Sequence, residues 1–308
     1  MEHIPRNYLN YTLSIVLGGI LVFLPIVSSS FSDLDGVIPI FLTSLICSTI
    51  FIYWLCYKGF KNTKLKINIV DICFTLYICY GVLRITVSEV IFNPVIVCEW
   101  FGLVIIYVLV RLLEYKFLRV LYVSLLLGGT IQAVIGVLQY VNLLESNHVI
   151  FKITGSFSNP GHYGGFLALS IVVGLFMWRA KQYSITKGNI FFPCILFIQI
   201  VALLLSDSRA AWLAVIVPIC LLFANNYFNR PFYRHWYIKL SFCILIIVMM
   251  ISLYYYKKAS ADVRVLTWNS SLFMIKDAPV FGHGIGSFAA NYMPCQACYL
   301  DEHVGGNE

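Results

Sequence analysis

The chain has 308 residues, of which 60% are hydrophobic and only 11% are charged. Soluble proteins carry about 25% charged residues, so this composition excludes an ordinary soluble domain and indicates a polytopic membrane protein. The net charge of +7 does not indicate nucleic-acid binding, because the basic residues are spread over short loops between apolar runs. That distribution is a signal of membrane topology.

Apolar runs occupy most of the chain before residue 257. A membrane-spanning helix needs about 20 mostly apolar residues, and about nine runs meet that requirement. They lie at residues 10–29, 37–57, 67–87, 94–113, 118–143, 161–178, 189–205, 210–225 and 237–256. We therefore predict an all-α fold, a polytopic membrane helix bundle over residues 1–256. Residues 257–308 would begin an extramembrane loop.

The loops between these runs alternate in charge. Basic loops fall at 58–66, 111–119, 179–188 and 226–239, whereas the loops at 30–36, 144–160 and 206–209 hold almost no Lys or Arg. Short loops rich in Lys and Arg stay on the cytoplasmic side of a membrane. The N-terminus is therefore predicted inside and the segment after residue 256 outside.

This topology places three unusual stretches on the outer face. They are "GSFSNPGHYGG" (155–165), "SDSRAAW" (206–212) and the tail from residue 257 onward. Distant segments of special composition that meet on one side of a membrane are what a site built between helix ends would require.

Arg209 begins the eighth run after a very short loop, so a tight hairpin would place it at the membrane interface. A snorkelling anchor is a common role for such an arginine, and that interpretation stays open. Ser206, Asp207 and Ser208 occupy the same turn, and Ser or Asp can cap a helix whose N-terminus favours anions. A guanidinium beside a capped N-terminus is suited to phosphate or pyrophosphate.

The stretch "GSFSNPGHYGG" leads into the sixth run. Asn159-Pro160-Gly161 is a turn signal, and proline suits the first turn of a helix. Gly161, Gly164 and Gly165 allow close approach of a neighbouring backbone or a ligand, although a simple glycine-rich packing face explains them as well. His162 is a candidate acid or base, or merely a polar cap.

The tail contains a predicted amphipathic interfacial helix over residues 264–276. Arg264 and Trp268 are four residues apart and would share one side of it. Its apolar face would comprise Val265, Leu266, Trp268, Leu272, Phe273 and Ile275. Asp277-Ala278-Pro279 ends the helix, and a turn with Gly282, Gly284 and Gly286 follows. This turn lacks the strand–turn–helix context of a nucleotide loop, which leaves a glycine-rich anion nest as the alternative.

The remaining polar residues have open alternatives. Asp71, Glu99 and Arg84 lie in predicted spans, where charged residues are functional candidates by default, although a structural pair such as Arg84 with Glu99 fits equally. Asp33 and Asp35 form a D-x-D pattern, which can hold a divalent metal but also recurs in acidic turns.

Ten cysteines do not make a disulfide scaffold here, because all except Cys295 and Cys298 lie in apolar runs as small core residues. Those two, in "CQAC", could form a disulfide or a redox pair outside the membrane.

Three stretches in this order resemble the O-antigen ligase and polymerase superfamily of bacterial envelope glycosyltransferases. The first is Gly155-Ser156-Phe157-Ser158-Asn159-Pro160, and the second is Ser206-Asp207-Ser208-Arg209-Ala210. The third joins Arg264 and Trp268 to the segment from Asp277 to Phe288. The resemblance covers about residues 150–290.

The resemblance implies a bacterial inner-membrane enzyme that transfers an undecaprenyl-diphosphate-linked glycan on the periplasmic face, without metal or cofactor. Its donor would be that lipid-linked glycan and its acceptor the lipid A–core oligosaccharide; a polymerase or a protein O-oligosaccharyltransferase is the alternative. Arginines grip the diphosphate in this family, which assigns that role to Arg209 and Arg264. We predict that further motif residues bind the substrate, namely Asn159, His162, Ser208, Trp268, Gly282, Gly284 and Gly286.

One departure from the family concerns the tail. Family members have a longer outer loop, usually with a candidate base histidine, followed by further spans. This sequence stops at "DEHVGGNE", so we expect a chain truncated at its C-terminus, with the catalytic base beyond it. His283 and His303 do not occupy the family's context.

Functions of other classes fit parts of the sequence. A lipid-linked glycan flippase or transporter is compatible with the number of runs, but it would require internal repeats or spans interrupted near the midplane, which the sequence does not show. A structural scaffold leaves the arginines and glycines of the outer stretches unexplained.

Overall fold

The computed structural model describes residues 6–30, 46, 49–50, 67–87, 94–180, 191–227, 244, 251–252, 254–255, 258–284 and 286–303. Over these ranges the chain is helical, with no β-strand. The all-α prediction is therefore confirmed for the part of the chain that is described.

The helices follow the predicted runs closely. They are α1 (Arg6–Ser30), α2 (Ile69–Val87), α3 (Pro94–Leu112), α4 (Tyr115–Tyr140), α5 (Pro160–Arg179), α6 (Phe191–Leu205), α7 (Arg209–Tyr227), α8 (Lys258–Asp277) and α9 (Ser287–His303). The predicted runs 37–57 and 237–256 fall mostly outside the described residues. Helix α9 was not predicted at all.

Two helices, α4 and α5, are long and apolar enough to cross a membrane, among the residues that could be searched. Shorter apolar helical stretches lie at Asn10–Ile26, Trp100–Leu112, Phe192–Leu205 and Arg209–Cys220. The number of spans and their orientation remain predictions.

The chain divides into two compact units. The first comprises residues 1–61 and 101–235, and the second comprises residues 62–100 and 236–308. In the first unit α4 packs against α1, α5 and α6, and α5 packs against α7. In the second unit α8 packs against α9.

The core of the first unit centres on α5. Tyr163, Leu167 and Ile171 are fully buried there, together with Ala133 of α4 and Ala211 of α7. A separate apolar cluster joins α1, α3 and α4 through Leu13, Leu17, Ile105, Leu109, Leu113, Phe117 and Leu121.

Polar side chains also bind helices of this unit together. Gln199 of α6 is fully buried; its amide donates to the Leu126 carbonyl and the Thr130 hydroxyl of α4, each at 3.1 Å. Its carbonyl oxygen accepts from the Ser170 hydroxyl of α5 at 3.0 Å. Because an unpaired amide is costly away from water, these bonds fix the relative positions of three helices.

The start of α2 explains one of the predicted intramembrane carboxylates. The backbone N–H of Asn68 donates to the Asp71 carboxylate at 2.8 Å, and the backbone N–H of Asp71 donates to the Asn68 side chain at 2.9 Å. This reciprocal arrangement is a helix cap, which gives Asp71 a structural role. The side chain of Glu99, and Asp33 and Asp35, lie outside the described residues.

Candidate functional site

The loop before α5 is held by a buried glutamine of α4. The Gln139 side-chain oxygen accepts from the backbone N–H groups of Thr154 and Gly155, at 3.0 and 2.8 Å. Its amide donates to the carbonyls of Gly155 and Glu145, at 2.8 and 3.1 Å. Gly155 has a φ of +59°, a conformation that glycine adopts without a steric penalty.

A second glutamine holds the next residue of the loop. Gln132 accepts from the Ser156 backbone N–H at 3.0 Å and donates to the Ser156 hydroxyl at 2.6 Å. That hydroxyl in turn donates to the Pro25 carbonyl of α1 at 2.6 Å. The loop that leads to Asn159 therefore has its backbone fixed by α4 and α1.

Helix α5 begins where the sequence predicted. Asn159 is the N-cap residue, its side-chain oxygen accepts from the Gly161 backbone N–H at 2.7 Å, and Pro160 opens the first turn. Asn159 and His162 are both exposed. The cap thus faces outward from the first unit, at the end of α5 that carries a partial positive charge.

Gly164 brings the two motif stretches of this unit together. A Cβ atom built on Gly164 would lie 2.8 Å from the Ser208 Cβ and 2.9 Å from the Ala211 Cβ. In contrast, a Cβ on Gly165 would meet nothing within 4 Å. The close approach predicted for the glycines is therefore confirmed at Gly164 and is not found at Gly165.

The turn between α6 and α7 is tight. Asp207 has a φ of +56°, a left-handed conformation that few residues other than glycine and asparagine or aspartate adopt. The Ser206 hydroxyl and the Trp212 indole N–H both donate to the Leu203 carbonyl, at 2.7 and 2.9 Å. These bonds tie the first turn of α7 to the last turn of α6.

Two helix N-termini therefore lie side by side. The first turn of α7 begins at Arg209, immediately after Ser208, and Ser208 packs on the second turn of α5 through Gly164. Each N-terminus carries about half a positive charge, and Arg209, which is partly buried, adds a full one. This end of the first unit is suited to an anionic group.

The other predicted site residues belong to the second unit. Arg264 is exposed on α8, and Trp268, one turn later, has 65% of its surface exposed. Of the predicted apolar face, Leu266 and Phe273 are partly buried, while Val265, Leu272 and Ile275 are exposed with Trp268. Exposed apolar side chains in a row are typical of a surface that meets lipid or a partner.

The glycine turn follows α8 directly. Gly282, Gly284 and Gly286 have φ values of +61°, +105° and +77°, which only glycine adopts easily in succession. The His283 ring lies 3.1 Å from the Met274 carbonyl of α8. Such a bond gives this histidine a structural partner in the turn.

The two tail cysteines lie on α9. Cys295 and Cys298 are free thiols. Partial burial and the carboxylate of Asp277 raise the pKa of the Cys295 thiol above its ordinary value. A raised pKa lowers the fraction of reactive thiolate at neutral pH, so this position does not activate the Cys295 thiol.

The structure thus groups the predicted residues by unit. Asn159, His162, Ser208 and Arg209 occur at neighbouring helix ends in the first unit. Arg264 and Trp268 belong to the second unit with the glycine turn. Sequence reasoning missed Gln132 and Gln139; their signal is a pair of amides inside an otherwise apolar helix. In the residues that could be searched, no group of three or more His, Cys, Asp or Glu side chains could hold a metal.

Residues 194–304 match the family described as O-antigen ligase (Wzy_C). The match supports the predicted resemblance to the O-antigen ligase superfamily. It contains Ser208 and Arg209 as well as Arg264, Trp268 and the glycine turn, whereas Asn159 and His162 precede it. Comparisons with curated proteins and with solved structures give no match. Similarity to this family supports glycosyl transfer of the ligase or polymerase type in general, and the family is membrane-integral in bacteria.

Proposed function

We propose that this O-antigen ligase homologue transfers a glycan from undecaprenyl diphosphate to the lipid A–core oligosaccharide, on the periplasmic face of the bacterial inner membrane. Arg209 grips the diphosphate of the donor, with Arg264 as the second cation. Asn159, His162, Ser208, Trp268 and the three turn glycines contribute the substrate surface. No metal or cofactor takes part.

One observation carries the proposal: the packing of Gly164 against Ser208 and Ala211. This contact joins the N-terminus of α5 to that of α7, where Arg209 stands. A cation and two helix dipoles that are fixed in position before the reaction stabilise negative charge that develops beside them. A lipid diphosphate is the substrate group that would make use of it.

The chemistry follows from that charge. The acceptor hydroxyl oxygen bonds to the anomeric carbon of the donor, and the bond from that carbon to the phosphate oxygen breaks. The hydroxyl proton goes to a general base, and undecaprenyl diphosphate leaves with the electron pair. Negative charge therefore builds on the departing oxygen in the transition state, where a fixed guanidinium lowers the barrier most.

The test is transfer by the purified full-length protein in lipid nanodiscs, with undecaprenyl-diphosphate-linked glycan as donor and lipid A–core as acceptor. Arg209→Ala should lower kcat/KM by about 100-fold or more, as expected for loss of a transition-state contact. Arg209→Lys should recover only part of the loss, because it keeps the charge without the bidentate geometry.

Arg179→Ala is the matched control, since Arg179 is an exposed arginine in the last turn of α5, at the opposite end of that helix from Asn159. It should transfer normally. Normal transfer by Arg209→Ala would refute the catalytic role. Product formed on a second lipid-linked glycan, or on a protein, would instead identify a polymerase or a protein O-oligosaccharyltransferase.

A flippase is distinguished in cells by where the donor collects. Loss of a periplasmic transferase leaves lipid-linked glycan on the periplasmic face, whereas loss of a flippase leaves it on the cytoplasmic face.

A further inference from the structure

Helix α2 makes two hydrogen bonds to the glycine turn within the second unit. The Arg84 guanidinium donates from Nη2 to the Gly282 carbonyl at 2.9 Å. One turn earlier, the Tyr80 hydroxyl donates to the adjacent carbonyl, that of Phe281. Two successive carbonyls of the turn are therefore held by two side chains of one helix, although about 200 residues of sequence separate them.

Packing alone does not hold the tip of this turn. Val280 and Phe281 are exposed at 77% and 64%, and a Cβ on Gly282 would meet nothing within 4 Å. The backbone there is also intrinsically loose, because glycine at positive φ has more freedom to lose than any other residue. Hydrogen bonds must therefore supply the order: those from α2, and one from the Gly282 N–H to the Ala278 carbonyl at 3.0 Å.

The donor to the Gly282 carbonyl is a charged side chain. A carbonyl can be held by a neutral donor, yet here a permanent cation does it, and its buried Nε atom has no hydrogen-bond partner among the described residues. The side chain as a whole is only partly buried, and its charge is paired through Nη2. A hydrogen bond from a charged donor is about twice as strong as one between neutral groups, which suits a side chain that orders a loose turn.

We propose that Arg84 is a positioning residue of the transferase, which holds the turn at Phe281 and Gly282 in the geometry that glycosyl transfer needs. Tyr80 assists it through the neighbouring carbonyl. This inference rests on the proposed function, because the turn glycines belong to the proposed substrate surface. Arg84 acts through the Gly282 carbonyl and need not touch the substrate.

The first measurement does not depend on activity. Hydrogen exchange of the segment 278–287 is followed in the full chain in nanodiscs, where the Gly282 and Ser287 N–H groups are both hydrogen-bonded. Arg84→Met keeps the unbranched apolar part of the side chain and removes its donors. It should speed exchange in this segment by about tenfold or more, the effect of losing a hydrogen bond to a charged group. Arg84→Lys should largely restore protection.

The second measurement separates positioning from folding. A turn that is correctly placed only part of the time lowers kcat and leaves the donor KM nearly unchanged. We therefore expect kcat per folded molecule to fall about tenfold in Arg84→Met and by less in Tyr80→Phe. Arg84→Lys should keep most of the kcat of the unmodified protein. Arg111→Met is the matched control, since Arg111 lies in the last turn of α3 as Arg84 does in that of α2.

Each outcome has a defined meaning. Unchanged exchange in Arg84→Met would show that Arg84 does not order the turn. Faster exchange with unchanged kcat would show that the order it supplies is not needed for glycosyl transfer. If Arg84→Met does not fold, the same two readings are taken from Tyr80→Phe. If the unmodified protein transfers no glycan, the proposed function fails and the positioning role with it, while exchange still decides whether Arg84 anchors the turn.

Discussion

Replacing Gly164 by alanine tests the contact on which the proposed site depends. The new Cβ would lie 2.8–2.9 Å from the Ser208 Cβ, the Ser208 Oγ and the Ala211 Cβ. Non-bonded carbon atoms prefer about 3.5–4.0 Å, so the space is short by roughly 0.6–1.2 Å. The obstructing Cβ atoms are fixed to the α7 backbone and cannot rotate away. The two helix N-termini must therefore separate by about that distance.

Two opposing terms set the effect on stability. Overpacking costs about 1–3 kcal/mol, while alanine is about 1 kcal/mol better than glycine inside a helix. The net loss is then about 0–2 kcal/mol, small enough for the protein to fold. Activity is more sensitive, because a displacement of about 1 Å in a catalytic arrangement can cost about 100-fold in rate. We expect Gly164→Ala to fold and to transfer glycan about 100 times more slowly.

The neighbouring glycine provides the control. Gly165→Ala has the same chemistry on the same helix, but its Cβ would meet nothing within 4 Å. It should keep full activity and gain up to about 1 kcal/mol in stability. Transfer rates in nanodiscs and thermal unfolding in detergent measure both variants. Full activity in Gly164→Ala, or an equal loss in both variants, would refute the reasoning.

Three further predictions concern topology, the buried network and the thiols. In a variant whose native cysteines are replaced, Ala210→Cys, at an exposed position beside Arg209, should react with a membrane-impermeant maleimide in spheroplasts whose outer membrane is removed; labelling only after lysis would place Arg209 on the cytoplasmic side. Gln199→Leu should lower the free energy of unfolding by about 1–3 kcal/mol, because it leaves the Ser170 hydroxyl and a helix carbonyl with fewer partners, and unchanged thermal unfolding would contradict this. The Cys295 thiol should be alkylated more slowly at pH 7 than the same residue in a free peptide, and the midpoint of its rate–pH curve should lie above that of the peptide, since its pKa is raised; equal rates would show that the folded environment does not matter.

Cap and turn residues in the sequence predicted the start of α5 correctly. They did not predict the start of α8 or the presence of α9. Asn159 and Pro160 marked the start of α5 correctly, because a cap and a fixed φ act within a few residues. The predicted helix starts at 264, whereas α8 starts at Lys258; Ser260 and Asp262 are cap-type residues, yet they lie inside the helix. Helix α9 escaped notice because Pro294 lies inside it and its apolar residues follow no clear period.

The site shows the same division. Gly164 and Gly165 are identical in sequence terms, and only the position of α7 makes one of them a contact. The glutamines at 132 and 139 interrupt an apolar run, but their partners lie in a loop whose path the sequence does not reveal. The resemblance of the three motif stretches found the arginines. It did not reveal Arg84 as a support for the glycine turn.

The backbone of the loop from Thr154 to Ser156 is held by hydrogen bonds to two side chains of α4, not by strand or helix partners. These three residues are buried, so the loop serves as a support for the exposed Asn159 that follows it. A support ordered at folding loses no further conformational entropy when a ligand arrives. Exchanging this loop between homologues without its two glutamines should therefore yield a chain that folds but leaves the loop poorly ordered.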